Sequence, residues 1–248
     1  MKLLLSITAS ATALCLCMPA RAQDVKARDS WKQTVYIYAM GAAIEGDAQI
    51  GILPPLSVEL DKSDVLDALR MGGMVAYRID NGLWSFSTDV TYMDLGWRAS
   101  GPRGNVGGSL YLDQLTVMAT GGYRFAPYAE VLLSAAYFDL DSELNVRVLQ
   151  QTAQARRGAS WTDGLIGMRA SFPIGEKWSY NVRGDIGGGG SDLTWHFLTT
   201  FRRGVNDRFD WYFGYRVLSY DYSEGQGRTF QHYELMQHGP LIGVAISF

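Results

Sequence analysis

The last ten residues of the chain, Gly239 to Phe248, read GPLIGVAISF and end on an aromatic side chain. Phe248, Ile246, Val244, Ile242 and Pro240 share one parity, and Ser247, Ala245, Gly243, Leu241 and Gly239 share the other. A strand points alternate residues to opposite faces, so this one has a bulky apolar face and a face of mostly small residues. It fits between a hydrophobic solvent and an interior of different character. A strand of a soluble sandwich is the competing reading.

The other end of the chain separates the two. Lys2 is followed by an apolar run from Leu3 to Met18 and by Ala20-Arg21-Ala22 before Gln23, the layout of a secretory leader over residues 1–22. The domain expected to fold is 23–248. Without Lys2 and Arg21 its formal charge moves from −3 to −5, and it has no basic run of the kind that marks nucleic-acid binding. Both cysteines, Cys15 and Cys17, fall in the leader, so neither a disulfide nor a thiolate metal site is expected. After residue 22 the longest stretch without a formal charge, Leu235 to Phe248, has 14 residues. A spanning helix needs about 20. An exported chain without such a helix is either soluble or a closed barrel, because only helices and closed barrels satisfy every backbone group in lipid.

Turn chemistry divides the remainder into about ten strands, near 33–43, 72–79, 83–95, 109–124, 128–140, 161–172, 177–188, 192–203, 209–222 and 231–247. Asp80-Asn81-Gly82, Ala126-Pro127, Gly175-Glu176-Lys177 and Asn206-Asp207 read as tight turns. Longer links at 44–71, 96–108, 141–160 and 223–230, with a short one at 188–191, alternate with them. Short turns on one side and longer loops on the other is the membrane-barrel pattern. The faces also separate. Trp84, Phe86, Val90 and Tyr92 oppose Ser85, Ser87, Asp89 and Thr91; Leu115, Val117 and Tyr123 oppose Gln114, Thr116, Thr120 and Arg124; Tyr180, Val182 and Ile186 oppose Ser179, Asn181, Arg183 and Asp185. Arginines in mid-strand are the reverse of what a soluble core would hold.

Trp31, Trp84, Trp178 and Trp211 fall beside the short turns, and Trp97, Trp161 and Trp195 beside the long loops, which predicts two interfacial belts. Ser63 to Arg70 reads as a short helix capped by Ser63, with Val65, Leu66 and Leu69 on one side, covering the outer mouth or entering the lumen. Ala48 to Leu60, broken by Pro54-Pro55, reads as an extra hairpin.

On Asn81–Leu95, Trp161–Arg169, Gly184–Trp195, Gly214–Tyr222 and the end Gly239–Phe248, the chain resembles a family of uncharacterised Gram-negative outer-membrane β-barrel proteins, distantly similar to small porin-like ones. The resemblance covers nearly all of 23–248 and departs from the pattern at His196, where an amide is expected. It implies an all-β, transmembrane, antiparallel up-and-down barrel of about ten strands, with eight or twelve as alternatives, monomeric in the bacterial outer membrane with both termini periplasmic. It further implies contact with outer-membrane lipid and lipopolysaccharide, and recognition of Phe248 by the barrel assembly machinery.

The strand phases put Arg78, Arg169, Arg183, Arg202 and Arg216 in the lumen with Asp89, Glu130, Asp163 and Asp185. A ten-stranded barrel is slightly wider than the eight-stranded kind that side chains fill, and far narrower than the water-filled kind. The charges are therefore expected to pair and brace the wall, or to set the field of a narrow filter for small polar or anionic solutes. A surface-interaction protein acting through 44–71 and 141–160 is the alternative. His196, His232 and His238 are expected toward the outer half. With Asp139 or Asp221 they would offer a hydrolytic site like that of the omptin proteases, but no acid and histidine pair has that family's spacing, and Ser219 near His232 is an isolated coincidence. Gly187 to Gly190 lacks the lysine and helix of a phosphate loop and reads as a tight outer turn. No cofactor or metal motif is present in the sequence.

Overall fold

The structure, a computed structural model, describes residues 27–50, 56–100, 106–148 and 151–248. The expected leader lies outside them. In chain order the elements are β1 (Lys32–Met40), β2 (Ala43–Ile50), β3 (Leu56–Leu60), α1 (Lys62–Ala68), β4 (Leu69–Asp80), β5 (Trp84–Ser100), β6 (Val106–Ala126), β7 (Ala129–Val148), β8 (Gln151–Ile174), β9 (Trp178–Gly189), β10 (Leu193–Gly204), β11 (Phe209–Glu224) and β12 (Gln231–Ser247).

Ten of these strands close an antiparallel barrel in the order β1-β4-β5-β6-β7-β8-β9-β10-β11-β12, with β12 returning to β1. The seam runs from Thr34 opposite Ser247 to Met40 opposite Leu241, and the terminal Phe248 donates its N–H to the Gln33 carbonyl at 2.9 Å. Gly243 makes this closure possible: a Cβ there would stand 2.3 Å from the Ile37 carbonyl oxygen. The four tight turns lie at one end, as the sequence predicts. In the first of them Gly82 has φ +89°, and the Asn81 side chain accepts from the backbone N–H groups of Leu83 and Trp84 at 3.1 and 2.8 Å.

The alternation also holds. Leu133, Ile242 and Ile166 are 72%, 62% and 61% exposed on the outside, while their chain neighbours Leu132, Leu241 and Leu165 are buried inside. An apolar exterior this continuous needs a hydrocarbon solvent. Trp31, Trp84, Trp178 and Trp211 are exposed beside the short turns. Trp161 is not in the opposite belt: β8 begins ten residues before it, so it stands mid-strand with its ring buried in the lumen. Trp195 is half-buried, and the side chain of Trp97 lies outside the description.

Three of the expected loops are largely strand. Residues 96–100, 106–108, 141–148 and 151–160 extend β5 to β8, so that β6, β7 and β8 run to 21, 20 and 24 residues. A tilted membrane strand needs ~9–11. The sheet of β6 to β8 therefore continues well beyond the apolar belt. Residues 44–71 hold the predicted extra hairpin, β2 and β3, and the helix. Here β2 pairs with the first half of β12 where β1 pairs with the second half, so the hairpin prolongs the wall. The helix is capped by Asp61, not Ser63. The Asp61 carboxylate accepts from the Ser63 and Asp64 N–H groups at 2.7 and 3.0 Å, and Asp64 accepts from the Asp61 N–H at 3.2 Å. Val65 and Ala68 are buried in the lumen, while Leu69 is exposed.

Candidate functional site

The lumen has two layers. The layer near the short turns is ionic, and its centre is Glu130 at the start of β7, which is 3% exposed. The register sets Arg124 on β6 and Arg169 on β8 directly beside it. Arg124 donates to Oε1 at 2.6 Å and Arg169 to Oε2 at 3.3 Å, while Arg78 reaches across from β4 to both oxygens at 2.9 and 3.2 Å. Ser85 Oγ adds a donor at 3.2 Å. Gly122 leaves the space: a Cβ there would lie 2.4 Å from that hydroxyl and 3.2 Å from Glu130 Oε2. Sequence reasoning set Arg124 inside but left it out of the charge set. The signal was there, since residues 124 and 130 stand symmetrically about Pro127.

The other lumen arginines pair singly. Arg183 donates to Asp185, two residues along β9 on the same face, at 2.7 and 3.0 Å, and crosses the lumen to Thr120 and Ser134 at 3.0 and 3.1 Å. Arg216 donates to Asp89 Oδ1 at 3.0 Å and to the Tyr38 hydroxyl at 2.9 Å, and Tyr38 donates in turn to Asp89 Oδ2 at 2.7 Å. Arg202 pairs with Asp210 and reaches Tyr36 and Ser247. Asp210, the second residue of β11, is a partner the sequence reading missed. A guanidinium taken out of water costs several kcal/mol unless a carboxylate and good hydrogen bonds meet it, and each of these has both.

Two residues depart from expectation. Asp163 belongs to no ion pair among the described residues and lies at the opposite end of the lumen. It accepts from the Gly190 and Ser191 N–H groups, the Ser191 and Thr194 hydroxyls and Trp161 Nε1, all within 3.1 Å, and so clasps the tight turn between β9 and β10. His196 lies in the outer half of β10 as expected, but its side chain is enclosed in the lumen. The register sets it opposite Asp185, buried in the middle of the barrel with Nδ1 3.1 Å from Asp185 Oδ2.

The outer layer is apolar. Trp161 stacks between Phe138 and Tyr222, with ring centroids at 5.0 and 4.2 Å and interplanar angles of 17° and 18°, and Tyr220 meets both Phe138 and Trp161 edgewise or tilted. Leu95, Leu140, Leu218 and Leu235 surround them, and Ile44 from β2 with Val65 and Ala68 from α1 completes the packing. Below this layer, the ionic half encloses a cavity of about 230 Å³ near the short turns, lined by Arg78, Arg124, Arg169, Arg183, Arg202 and other polar groups. A second void of about 20 Å³ lies among Tyr38, Asp89, His196 and Arg216. Enough room for about one water remains there.

The remaining histidines stand outside the lumen. His232 Nδ1 is 3.0 Å from Ser223 Oγ and 3.6 Å from Asp221, so the hydroxyl beside it is not that of Ser219. His238 lies 2.6 Å from the Tyr215 hydroxyl and 3.2 Å from Glu45. Asp139 sits on β7 opposite Ser160.

The outer membrane protease OmpT of Escherichia coli superposes with a TM-score of 0.54 at 7% identity, over 92% of this chain and 100% of its own. The chain has the fold of an outer-membrane β-barrel. At that identity the likeness concerns the fold alone. Neisserial surface protein A (12% identity, 88% of this chain, 97% of its own, TM-score 0.29) and a Pseudomonas aeruginosa FadL homologue (9%, 88%, 90%, 0.32) align more loosely. No known sequence family and no curated protein matches the chain.

Proposed function

We propose that the protein spans the bacterial outer membrane as a wall-type barrel, porin-like in form, with both termini periplasmic and a lumen that is a blind vestibule instead of a through-pore. The apolar layer carries this reading: stacked Phe138, Trp161 and Tyr222, with Val65 and Ala68 of α1 packed on the same cluster, set a plug of rings and aliphatic side chains across the described lumen. A hydrated ion would have to shed its water with nothing to replace it. The arginine and carboxylate pairs beneath brace the wall. Lipid and lipopolysaccharide cover the exterior, and Phe248, 72% exposed at the seam, is the residue offered to the assembly machinery. Planar bilayer recording of the refolded protein tests the blind lumen, with no conductance steps expected at any holding voltage. Regular unitary steps in the wild type would overturn it.

A second reading has its own support in the strands that run past the apolar belt. β8 pairs with β7 from Gln151 to Ala170, but with β9 only from Asp163 onward. Its first eleven residues, up to Trp161, therefore present an open sheet edge, a surface suited to capturing a partner strand. On this reading the protein is also a surface-interaction protein. Deleting 141–160 should abolish binding to cell-surface partners while the barrel still inserts, and unchanged binding discards the idea.

A further inference from the structure

The ionic half is not evenly balanced. Arg183, Arg202 and Arg216 each meet one carboxylate, in Asp185, Asp210 and Asp89. At Glu130 three guanidinium groups converge on a single carboxylate, and the further anion beside them, Asp80, stands 3.6 Å from Arg78. Three cations thus face two anions, and the surplus lies where the lumen is open. Arg78, Arg124 and Arg169 all line the 230 Å³ cavity, with side chains 14%, 22% and 13% exposed. Arg169 donates to Glu130 through one nitrogen, Nη1. A guanidinium carries five N–H donors in a fixed fork that matches two oxygens of an oxyanion. Ser171, Asn181 and Thr200 add neutral groups to the same wall. Low-dielectric walls around a surplus of one sign focus its field and concentrate the opposite ion.

We propose that this cavity binds a small free oxyanion of the phosphate or sulfate class, taken up from the short-turn mouth and held chiefly by Arg169 and Arg124. The volume suits an inorganic ion or a very small phosphate ester. The apolar layer beyond Arg183 would hold the ion instead of passing it. The inference does not require the barrel to be non-conducting, so bilayer recordings and binding measurements fail separately.

The full-length barrel in detergent micelles is titrated with inorganic phosphate against chloride at matched ionic strength, following the thermal unfolding midpoint and the 31P line width. Phosphate should raise the midpoint saturably. In Arg169→Gln the apparent affinity should fall at least tenfold, with heat-modifiable electrophoretic migration showing that the barrel still folds, since Glu130 keeps Arg78 and Arg124. Arg203→Gln, whose guanidinium lies on the outer face over the Trp178 ring at 5.6 Å, should bind as the wild type does. A shift equal to that of chloride, or equal affinity in the wild type and Arg169→Gln, overturns the proposal. Displacement of phosphate by micellar phosphatidic acid but not by glycerol 3-phosphate also overturns it, in favour of a lipid headgroup.

Discussion

The two layers of the lumen solve one problem by opposite means. Near the short turns the strands bring arginines inward, and each must be met by a carboxylate from its own, a neighbouring or a facing strand, as Asp185 meets Arg183, Glu130 meets three and Asp89 meets Arg216. In the outer layer the space is filled with Phe138, Trp161, Tyr220 and Leu95, which bring in no charge to be paired, although Trp161 Nε1 still donates to Asp163. The ionic layer keeps open volume and therefore a chemistry. The apolar layer gives that up for closure, and its stability is of the ordinary hydrophobic kind.

The largest effect that would sharpen this comparison is expected in the apolar layer. Trp161→Ala removes the ring that Phe138 and Tyr222 sandwich, and should destabilise the barrel by ~3–5 kcal/mol in urea unfolding from lipid vesicles. The same variant should gain conductance steps that the wild type lacks. A stable, silent variant would mean that the ionic layer, not the aromatic one, closes the lumen.

Glu130→Gln tests the other layer. It keeps the shape and removes the charge that three arginines share, leaving Asp80 as the anion nearest to them. Removing one partner of a buried pair costs ~3–5 kcal/mol, and the arginines' residual exposure to the vestibule puts the expected loss near ~3 kcal/mol. If unfolding is unchanged, the cluster does not brace the wall.

Much of the barrel was legible because lipid imposes a strict parity. Wherever a strand crosses hydrocarbon, as in Trp84 to Tyr92 or Tyr180 to Ile186, the apolar face must point outward, and a period of two fixes the phase of every side chain. Beyond the hydrocarbon that constraint lapses. Ser142, Arg156 and Arg157 occupy strand positions with water on at least one side, so 141–160 reads as loop although the backbone of 141–148 and 151–160 is paired. The lost strand start misassigned Trp161, because a residue at a strand end and one in mid-strand differ only in where the strand is judged to begin. The pairing inside the ionic layer needed register as well as phase. Parity sets Asp163 and Asp185 alike inward, but only the ladders show that Asp185 lies beside His196 and that Asp163 faces the turn at Ser191. Tight turns carry that information locally, and for this reason the Arg124 and Glu130 pair about Pro127 was within reach.

The smallest expected effect concerns the helix packed on the apolar layer. Asp61 caps α1, and the Ser63 hydroxyl with the backbone N–H groups of Asp64 and Ser63 holds its carboxyl below the usual carboxylate range. A carboxyl whose folded value is lowered contributes stability that is fully present above its unfolded value near 4 and is lost as the pH falls through the folded value. Because Asp61 is exposed, the loss should be local: α1 frays and Val65 and Ala68 leave the aromatic layer, while the ten-stranded wall holds. The protection factors of the α1 amides against hydrogen exchange should therefore fall below pH ~4 in the wild type, and be low at all pH values in Asp61→Ala. If exchange in α1 follows that of the β7 amides instead, the helix is an inseparable part of the core, and the apolar layer would act as a single rigid body with the wall.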